Sequence, residues 1–294
     1  MDDGREFIHV GRVSWRSPFA VPTHLSKQVE VLGLAENIRE LADKGSTVIQ
    51  NVAPPEFIDG LRSKISELCK SDLSEGRTGD ELQQATMLFG RDSVFVEACL
   101  MPKILVLAEV IVGGGFHMSN LVGILKPPSE GALQLHTDTN WLPEPYPEHP
   151  ATITCCWATE TLNRAAGCTK AVPGSHRARR QPTLEEAGND DLTVPLECEA
   201  GDVPVWLGET WHGNYSRQLE GERVTLHMSM TRHIYRPMEN YDYLSDEWID
   251  KQSRPDVVRQ LLRRDGYIDK NKMDWGKEAD YISTVTETIE RIKR

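Results

Sequence analysis

The segment between about residues 117 and 235 limits the possible folds most strongly. Runs of β-branched and aromatic residues are short here, and Pro and Gly separate them. Such spacing is typical of antiparallel sandwiches and barrels, because a parallel α/β sheet needs a long connection between neighbouring strands. We therefore expect a mainly β core. The predicted strands are residues 118–126, 131–138, 150–158, 168–172, 194–198, 202–207 and 223–232.

The flanking segments have helical patterns. Apolar residues recur at near-helical spacing from Leu25 to Lys44, and Gly45 is a plausible C-cap. A short strand is predicted at 46–52. The other predicted helices run from Pro54-Pro55 to about Lys70, from Pro102 to Val112, and over 247–264 and 281–293. We predict a single domain over 1–294, made of an arm (1–24), a helical lead-in (25–116), the core (117–236) and C-terminal helices (237–294).

Composition restricts the classes of function. With 39% hydrophobic residues in 294, the chain can bury one sizeable core. The net charge of −12 argues against nucleic-acid and anionic-membrane partners, and the one basic cluster is Arg177, Arg179 and Arg180. No apolar run reaches the roughly 18 residues of a membrane span. The acidic start lacks a signal-peptide pattern, and the six cysteines form no CxxC pair. We expect a cytoplasmic protein with free thiols.

The segment 133–138, Leu-Gln-Leu-His-Thr-Asp, suggests a metal site. In a strand its alternate side chains share a face, which would bring His136 beside Asp138. His212, which follows a predicted strand and precedes a Gly turn, is the best candidate for a third ligand from a distant part of the chain. Two histidines and one carboxylate form the ligand set of iron(II) oxygenases, because they leave one face of the metal open.

Arg223 strengthens this interpretation, since it begins a strand eleven residues after His212. A guanidinium can hold a carboxylate through two parallel hydrogen bonds. Thr225 should face the same side and add a hydroxyl donor. The alternative for Arg223 alone is an exposed arginine paired with Glu220 or Glu222.

The ordered combination of motifs resembles the phytanoyl-CoA hydroxylase-like family of iron(II)/2-oxoglutarate dioxygenases. The family pattern is His-x-Asp, a hairpin with Gly-x5-Pro-Gly-Ser-His, and a distal His followed by Arg about eleven residues later. Here the pattern falls on His136, Asp138, Gly167, Pro173, Gly174, Ser175, His176, His212 and Arg223. The resemblance covers roughly residues 25–235. One departure is 160–167, Glu-Thr-Leu-Asn-Arg-Ala-Ala-Gly, where the family often has an Asp-x5-Asn-Gly run.

The resemblance implies a double-stranded β-helix, or jelly-roll, core with helices outside. It implies that His136, Asp138 and His212 hold iron(II), and that Arg223 and Thr225 bind the distal carboxylate of 2-oxoglutarate. Gln134 and Thr169 match further co-substrate positions. The implied reaction consumes O2 and a small-molecule substrate and releases succinate and CO2. Hydroxylation is the default outcome, while desaturation, ring closure and epimerisation remain open.

Several residues have a structural interpretation beside the functional one. Trp141, three residues beyond Asp138, is a candidate substrate contact, as are Phe89 and Arg91 before the core. His176 is expected to fix a loop. His227 shares the predicted strand face of Arg223, so it could lie near the co-substrate or be a core histidine.

Two other functions remain alternatives. The same ligands could hold zinc and an activated water for hydrolysis, but Arg223 would then have no role. A non-catalytic jelly-roll binding protein is the second alternative, although no ligand is missing. A homodimer is an open expectation.

Overall fold

Two antiparallel sheets form the centre of the protein. A computed structural model describes residues 18–72, 82–128 and 131–265. The strands are β1 Ser46–Ile49, β2 Gln83–Ala85, β3 His117–Lys126, β4 Leu133–His136, β5 Thr152–Ala158, β6 Thr169–Ala171, β7 Val194–Pro195, β8 Val203–Leu207, β9 His212–Asn214 and β10 Arg223–Thr231. The larger sheet has the order β1-β8-β5-β10-β3-β2 and the smaller one β4-β9-β6-β7. Side chains of the two sheets meet where Ala171 packs with Cys156 and Trp206.

Helices precede, interrupt and follow the strands. They are α1 Ser26–Val31, α2 Ala35–Lys44, α3 Pro55–Ser71, α4 Ser93–Cys99, α5 Pro102–Val112, α6 Leu184–Ala187, α7 Asp246–Asp250 and α8 Pro255–Leu261. Helices α3 and α5 pack on the larger sheet, α3 against β3 and α5 against β5. Residues Ile104–Val112 of α5 are all buried. This helical layer covers the outer face of the larger sheet and leaves its inner face to the space between the sheets.

The helix predictions were right in position and partly wrong in extent. The predicted helix 25–44 is interrupted, because Gly33 adopts a left-handed φ of 69° between α1 and α2. Gly45 caps α2 with a φ of 80°, as predicted. The predicted helix 247–264 is two helices, since Pro255 begins α8 and could not continue α7. The predicted helix 281–293 lies outside the described residues, as does most of the arm 1–24.

The predicted strands were located correctly; β3 begins one residue earlier than predicted, the others are shorter, and three details were wrong. Strand β4 ends at His136, so Asp138 lies beyond it. Gly213 is inside β9 and does not form a turn. The predicted strand 194–198 is reduced to β7 and one isolated bridge, Leu162 to Cys198. Strands β2 and β9 and helices α4 and α6 were not predicted. The single-domain assignment over 1–294 stays a prediction.

All six cysteines are buried and free, as expected. Within the described ranges, none of the helices has the length and apolar character that a membrane crossing requires.

Candidate active site

The pairing of β4 with β9 brings together two histidines that are 76 positions apart in the chain. His136 lies directly opposite His212 in this antiparallel pair, and their ring centroids are 4.4 Å apart. Gly213 permits the close approach, because a Cβ there would lie 2.3 Å from the carbonyl oxygen of Leu133. The local sequence at Gly213 therefore fixes the spacing of the two imidazoles.

Asp138 joins the histidines from a turn beyond β4. Its backbone N–H donates to the carbonyl oxygen of Gly208 over 2.8 Å. Its Oδ1 lies 3.9 Å from Nε2 of His136 and 3.4 Å from Nε2 of His212. The three potential ligand atoms all lie within 4.8 Å of one another. Asp138 does lie close to His136, as the sequence predicted. The turn after β4 brings the two side chains together, and alternation along a strand does not.

Both imidazoles are oriented by backbone carbonyls. Nδ1 of His136 lies 3.0 Å from the carbonyl oxygen of Gln134, and Nδ1 of His212 lies 2.9 Å from that of Thr210. A carbonyl oxygen only accepts, so each Nδ1 carries a proton, and in the neutral ring each Nε2 keeps a free lone pair. The two lone pairs are thus available on the side of Asp138.

Asp138 is oriented in a similar way. Its Oδ2 accepts from Oγ1 of Thr154 at 2.8 Å and from Nε1 of Trp206 at 2.9 Å. Thr154 is also 3.0 Å from the hydroxyl of Ser229. These contacts occupy Oδ2 and leave Oδ1 toward the two histidines. The sequence analysis gave neither Trp206 nor Thr154 a role in the site; only their alternation with other inward-facing residues on β5 and β8 could have suggested one.

The charges of the cluster suit a cation. Burial alone would raise the pKa of Asp138, but the neighbouring His212, the Trp206 hydrogen bond and His136 together hold that pKa well below its usual value. Burial and the nearby His212 lower the pKa of His136. The arrangement presents one ionised carboxylate and a neutral imidazole in a common pocket, which is a donor set that divalent metals prefer.

Arg223 lies on the inner face of the larger sheet, at the start of β10, and is only 2% exposed. Its Nη1 donates to the carbonyl oxygen of Gly167, and its Nε is buried without a hydrogen-bond partner among the described residues. The alternative pairing of Arg223 with Glu222 is wrong, because Glu222 pairs with Lys70 at 3.0 Å. Within the described part of the chain, no hydrogen bond or ion pair joins this guanidinium to a carboxylate.

Thr225 shares this face. Its Oγ1 is also buried without a hydrogen-bond partner among the residues that the structure describes. An unpaired buried polar atom is costly, and here a guanidinium N–H and a hydroxyl lie two residues apart on one strand face, so they can serve one ligand together. A carboxylate fits both, because it accepts from a guanidinium and from a hydroxyl. The two histidines and Asp138 at one end of this face therefore fit iron(II). Arg223 and Thr225 at the other end fit a carboxylate of 2-oxoglutarate.

The two remaining co-substrate candidates are placed differently. Thr169 is buried on β6 and paired with Asn214, and it shares the face of Ala171, which contacts the larger sheet. It thus lies between the sheets. The side chain of Gln134 is exposed, and its established contact is the backbone carbonyl that orients His136.

The three substrate candidates separate clearly. Trp141 is 43% exposed, and its ring stands edge-on to Tyr235 at a centroid distance of 5.2 Å. Phe89 is fully buried against Tyr241 and Trp248, away from any exposed surface. Arg91 forms a two-pronged ion pair with Asp72. The structure brings only Trp141 into the turn that carries Asp138.

The arginines at 177–180 are also engaged within the protein. Arg180 pairs with Glu186 through two hydrogen bonds of 2.8 and 3.0 Å and stacks on Trp211. Arg179 donates to the backbone of Tyr146, and Arg177 to that of Ala42. His176 is not part of the three-ligand cluster and lies beside Gly45.

The fold and the cluster together define a jelly-roll protein with a candidate metal centre between its sheets. A solved structure with this architecture is HygX from Streptomyces hygroscopicus, which has nickel, 2-oxoglutarate and hygromycin B bound. It superimposes with a TM-score of 0.57 at 17% identity, over 68% of this chain and 88% of HygX. The predicted fold class is confirmed.

The chain belongs to the phytanoyl-CoA dioxygenase (PhyH) family, whose sequence profile matches residues 41–218. Dioxygenase af480 of Aspergillus fumigatus is 26% identical over 189 residues, which are 63% of this chain and 60% of that protein. A probable phytanoyl-CoA dioxygenase of Caenorhabditis elegans is 26% identical over 234 residues, which cover 65% of this chain and 73% of that protein. The predicted family, and with it the enzyme class, is confirmed.

Proposed function

We propose that this protein is an iron(II)- and 2-oxoglutarate-dependent oxygenase that hydroxylates a small molecule. The observation that carries the proposal is the buried Arg223 guanidinium, which among the described residues has a single backbone acceptor and no partner for its Nε. A buried cation without a counter-charge is expensive, so its retention favours an anionic ligand. The inner face that holds Arg223 leads along β10 to the His136, Asp138 and His212 cluster.

The three clustered side chains would hold iron through Nε2 of His136, Oδ1 of Asp138 and Nε2 of His212. Support comes from their hydrogen bonds, which occupy both Nδ1 atoms and Oδ2 and leave these ligand atoms free. When bound, iron(II) and 2-oxoglutarate supply the activation of O2, with release of succinate and CO2 and oxidation of the substrate. The protein's part is to fix the ligands in one orientation.

Arg223 and Thr225 would bind the distal carboxylate of the co-substrate, and Thr169 lies on the facing sheet. Their burial excludes water from this end, which strengthens charge-assisted hydrogen bonds. A zinc hydrolase would leave Arg223 without a role, so nothing in this arrangement favours it.

The substrate would enter near Trp141, whose exposed ring is anchored on Tyr235 beyond the end of β10. A small metabolite suits this surface better than an acyl-CoA, since the arginines at 177–180 are engaged by Glu186 and by backbone carbonyls. HygX, of the same fold, holds the small molecule hygromycin B. Hydroxylation remains the default, with desaturation, ring closure and epimerisation as other outcomes.

The test is to load the purified protein anaerobically with iron(II) and 2-oxoglutarate and record its visible spectrum. We expect a weak metal-to-ligand charge-transfer band that is lost in Asp138→Ala and in Arg223→Ala at the same co-substrate concentration. Retention of tight zinc with no such band would overturn the proposal in favour of a hydrolase.

A further inference from the structure

One face of β10 connects the two ends of the candidate site. Arg223, Thr225, His227 and Ser229 alternate along the strand and so share the face that looks between the sheets. Arg223 and Thr225 are fully buried, whereas His227 and Ser229 are partly exposed. The space between the sheets is therefore closed at Arg223 and open toward Ser229.

The open end is the metal end. Ser229 contacts Thr154, and Thr154 donates to Asp138. His227 is the residue of this face next to Ser229, about 13 Å along the strand from Arg223, since a strand rises about 3.3 Å per residue. A ligand that reaches from the three clustered side chains to Arg223 must pass His227.

Side chains of β5, which pairs with β10, and of β8, the next strand beyond β5, lie against the His227 ring. Its Nε2 lies 3.4 Å from Sγ of Cys156 on β5. The ring of Trp206 on β8 stands edge-on at 5.8 Å, and the same tryptophan donates to Asp138. The imidazole is thus fixed beside the residues that orient the metal ligand.

The imidazole is also neutral. Burial and the nearby Arg223 lower the pKa of His227 to about 3. A neutral imidazole offers one N–H donor and one acceptor. It can therefore donate to an anion without adding a second buried positive charge.

We propose that His227 is a positioning residue that contacts the co-substrate between the metal and Arg223 and sets its orientation on the metal. This proposal rests on the proposed function. It assigns His227 a role that neither Arg223 nor Thr225 can fill, because both lie at the closed end of the face. In this role the ring binds the co-substrate and does not bind the metal.

The test compares His227→Phe and His227→Gln with the unaltered protein. Anaerobic titration of 2-oxoglutarate into the iron(II)-loaded protein gives its Kd from the charge-transfer band, and calorimetry gives the Kd of nickel(II) alone. For His227→Phe we expect the 2-oxoglutarate Kd to rise about tenfold, as for the loss of one hydrogen bond to a charged group. The band should also shift, and nickel(II) affinity should stay unchanged.

His227→Gln should recover part of the affinity, because an amide can still donate. Met228→Leu is the matched control, since Met228 is fully buried on the opposite face of the same strand and the exchange nearly conserves volume. It should leave both affinities and the band unchanged.

The outcomes separate this inference from the proposed function. Wild-type 2-oxoglutarate affinity and an unshifted band in His227→Phe would overturn the positioning role, even if Arg223→Ala abolished binding. Equal losses of nickel(II) affinity in both His227 variants would also overturn it, since they would show that His227 has a purely structural role. Absence of the band in the unaltered protein would instead overturn the proposed function.

Discussion

Arg223 illustrates how function and stability conflict at a single residue. Its guanidinium is withdrawn from water, and burial lowers its pKa, yet within the described residues it has only the Gly167 carbonyl as a hydrogen-bond acceptor. The desolvation cost of such a group is normally offset by a carboxylate. Without co-substrate that offset is missing, so the free protein should be less stable than its packing would allow.

Replacement of Arg223 by Met should therefore raise the stability of the free protein while abolishing 2-oxoglutarate binding. Met keeps the apolar length of the side chain and removes the buried charge. A gain of about 1 kcal/mol corresponds to a rise in Tm of about 2–4 °C for a chain of this size. Thermal unfolding with and without 2-oxoglutarate measures both effects. A lower Tm in the free variant would show that the charge already has a partner.

The hydroxyl of Thr154 should strengthen metal binding, because it orients Asp138. Thr154→Val removes the hydroxyl that donates to Oδ2 of Asp138, and it keeps the shape of the side chain. Loss of such a contact weakens metal binding by about 10–100-fold. Calorimetric titration with nickel(II) measures the change.

Thr152→Val is the matched control for that experiment. Thr152 lies two residues earlier on the same strand, and its hydroxyl is buried without a hydrogen-bond partner among the described residues. Its removal should leave nickel(II) affinity unchanged. If both variants bind nickel(II) like the unaltered protein, Thr154 does not orient Asp138.

At the level of elements, the site depends on how closely β9 approaches β4. Gly213→Ala would place a methyl group 2.3 Å from the carbonyl oxygen of Leu133, which is closer than real Cβ contacts. The strands must then separate, and His136 moves away from His212. We expect a destabilisation of about 1–3 kcal/mol and a loss of nickel(II) affinity. Chemical denaturation and metal titration test these two effects separately.

Gly60→Ala is the corresponding control. Gly60 lies inside α3, and a Cβ there would meet nothing within 4 Å. A helical Gly→Ala exchange should stabilise the protein by about 0.5–1 kcal/mol and leave metal binding unchanged. Equal behaviour of the two variants would mean that the β4–β9 spacing does not control the site.

The elements also show why sequence reasoning succeeded in part. The alternation of apolar residues and the turn signals predicted most strands, and the ordered motifs predicted which of their residues belong to the candidate site. Strand β9 was missed, because Gly213 is used for a close approach between strands, and a single sequence does not distinguish that from a turn. The break at Gly33 was missed for the same reason, since a left-handed glycine can end a helix or only interrupt it.

Over the whole molecule, contacts between distant segments were the least predictable feature. The orientation of Asp138 depends on Trp206 of β8, which is 68 residues away, and no local pattern announces that hydrogen bond. Phe89 and Arg91 were predicted near the substrate from their position before the core, but they pack on Tyr241 and Asp72. Residue type and order predicted the cluster of His136, Asp138 and His212, whereas tertiary packing determined its surroundings.

The buried carboxyl group of Glu209 makes the stability of the folded protein depend on pH. Glu209 is 4% exposed in the turn between β8 and β9; its Oε1 accepts from the backbone N–H of Ala151, and its Oε2 is buried without a hydrogen-bond partner among the described residues. Burial raises the pKa of this carboxyl from 4.5 to about 7. Between these two values the folded state holds a proton that the unfolded state has released, so the free energy of unfolding falls as pH rises.

Glu209→Gln should remove this loss, because the amide keeps the acceptor for Ala151 and carries no charge at any pH. The unfolding free energy of the variant minus that of the unaltered protein should increase by about 2–3 kcal/mol between pH 5 and pH 8. Urea denaturation at several pH values measures it, and taking the difference cancels the titration of buried histidines such as His117. Glu148→Gln, an exposed neighbour that is 83% accessible, controls for the removal of one charge. A difference that stays constant with pH would show that Glu209 is already ionised in the folded protein near pH 5.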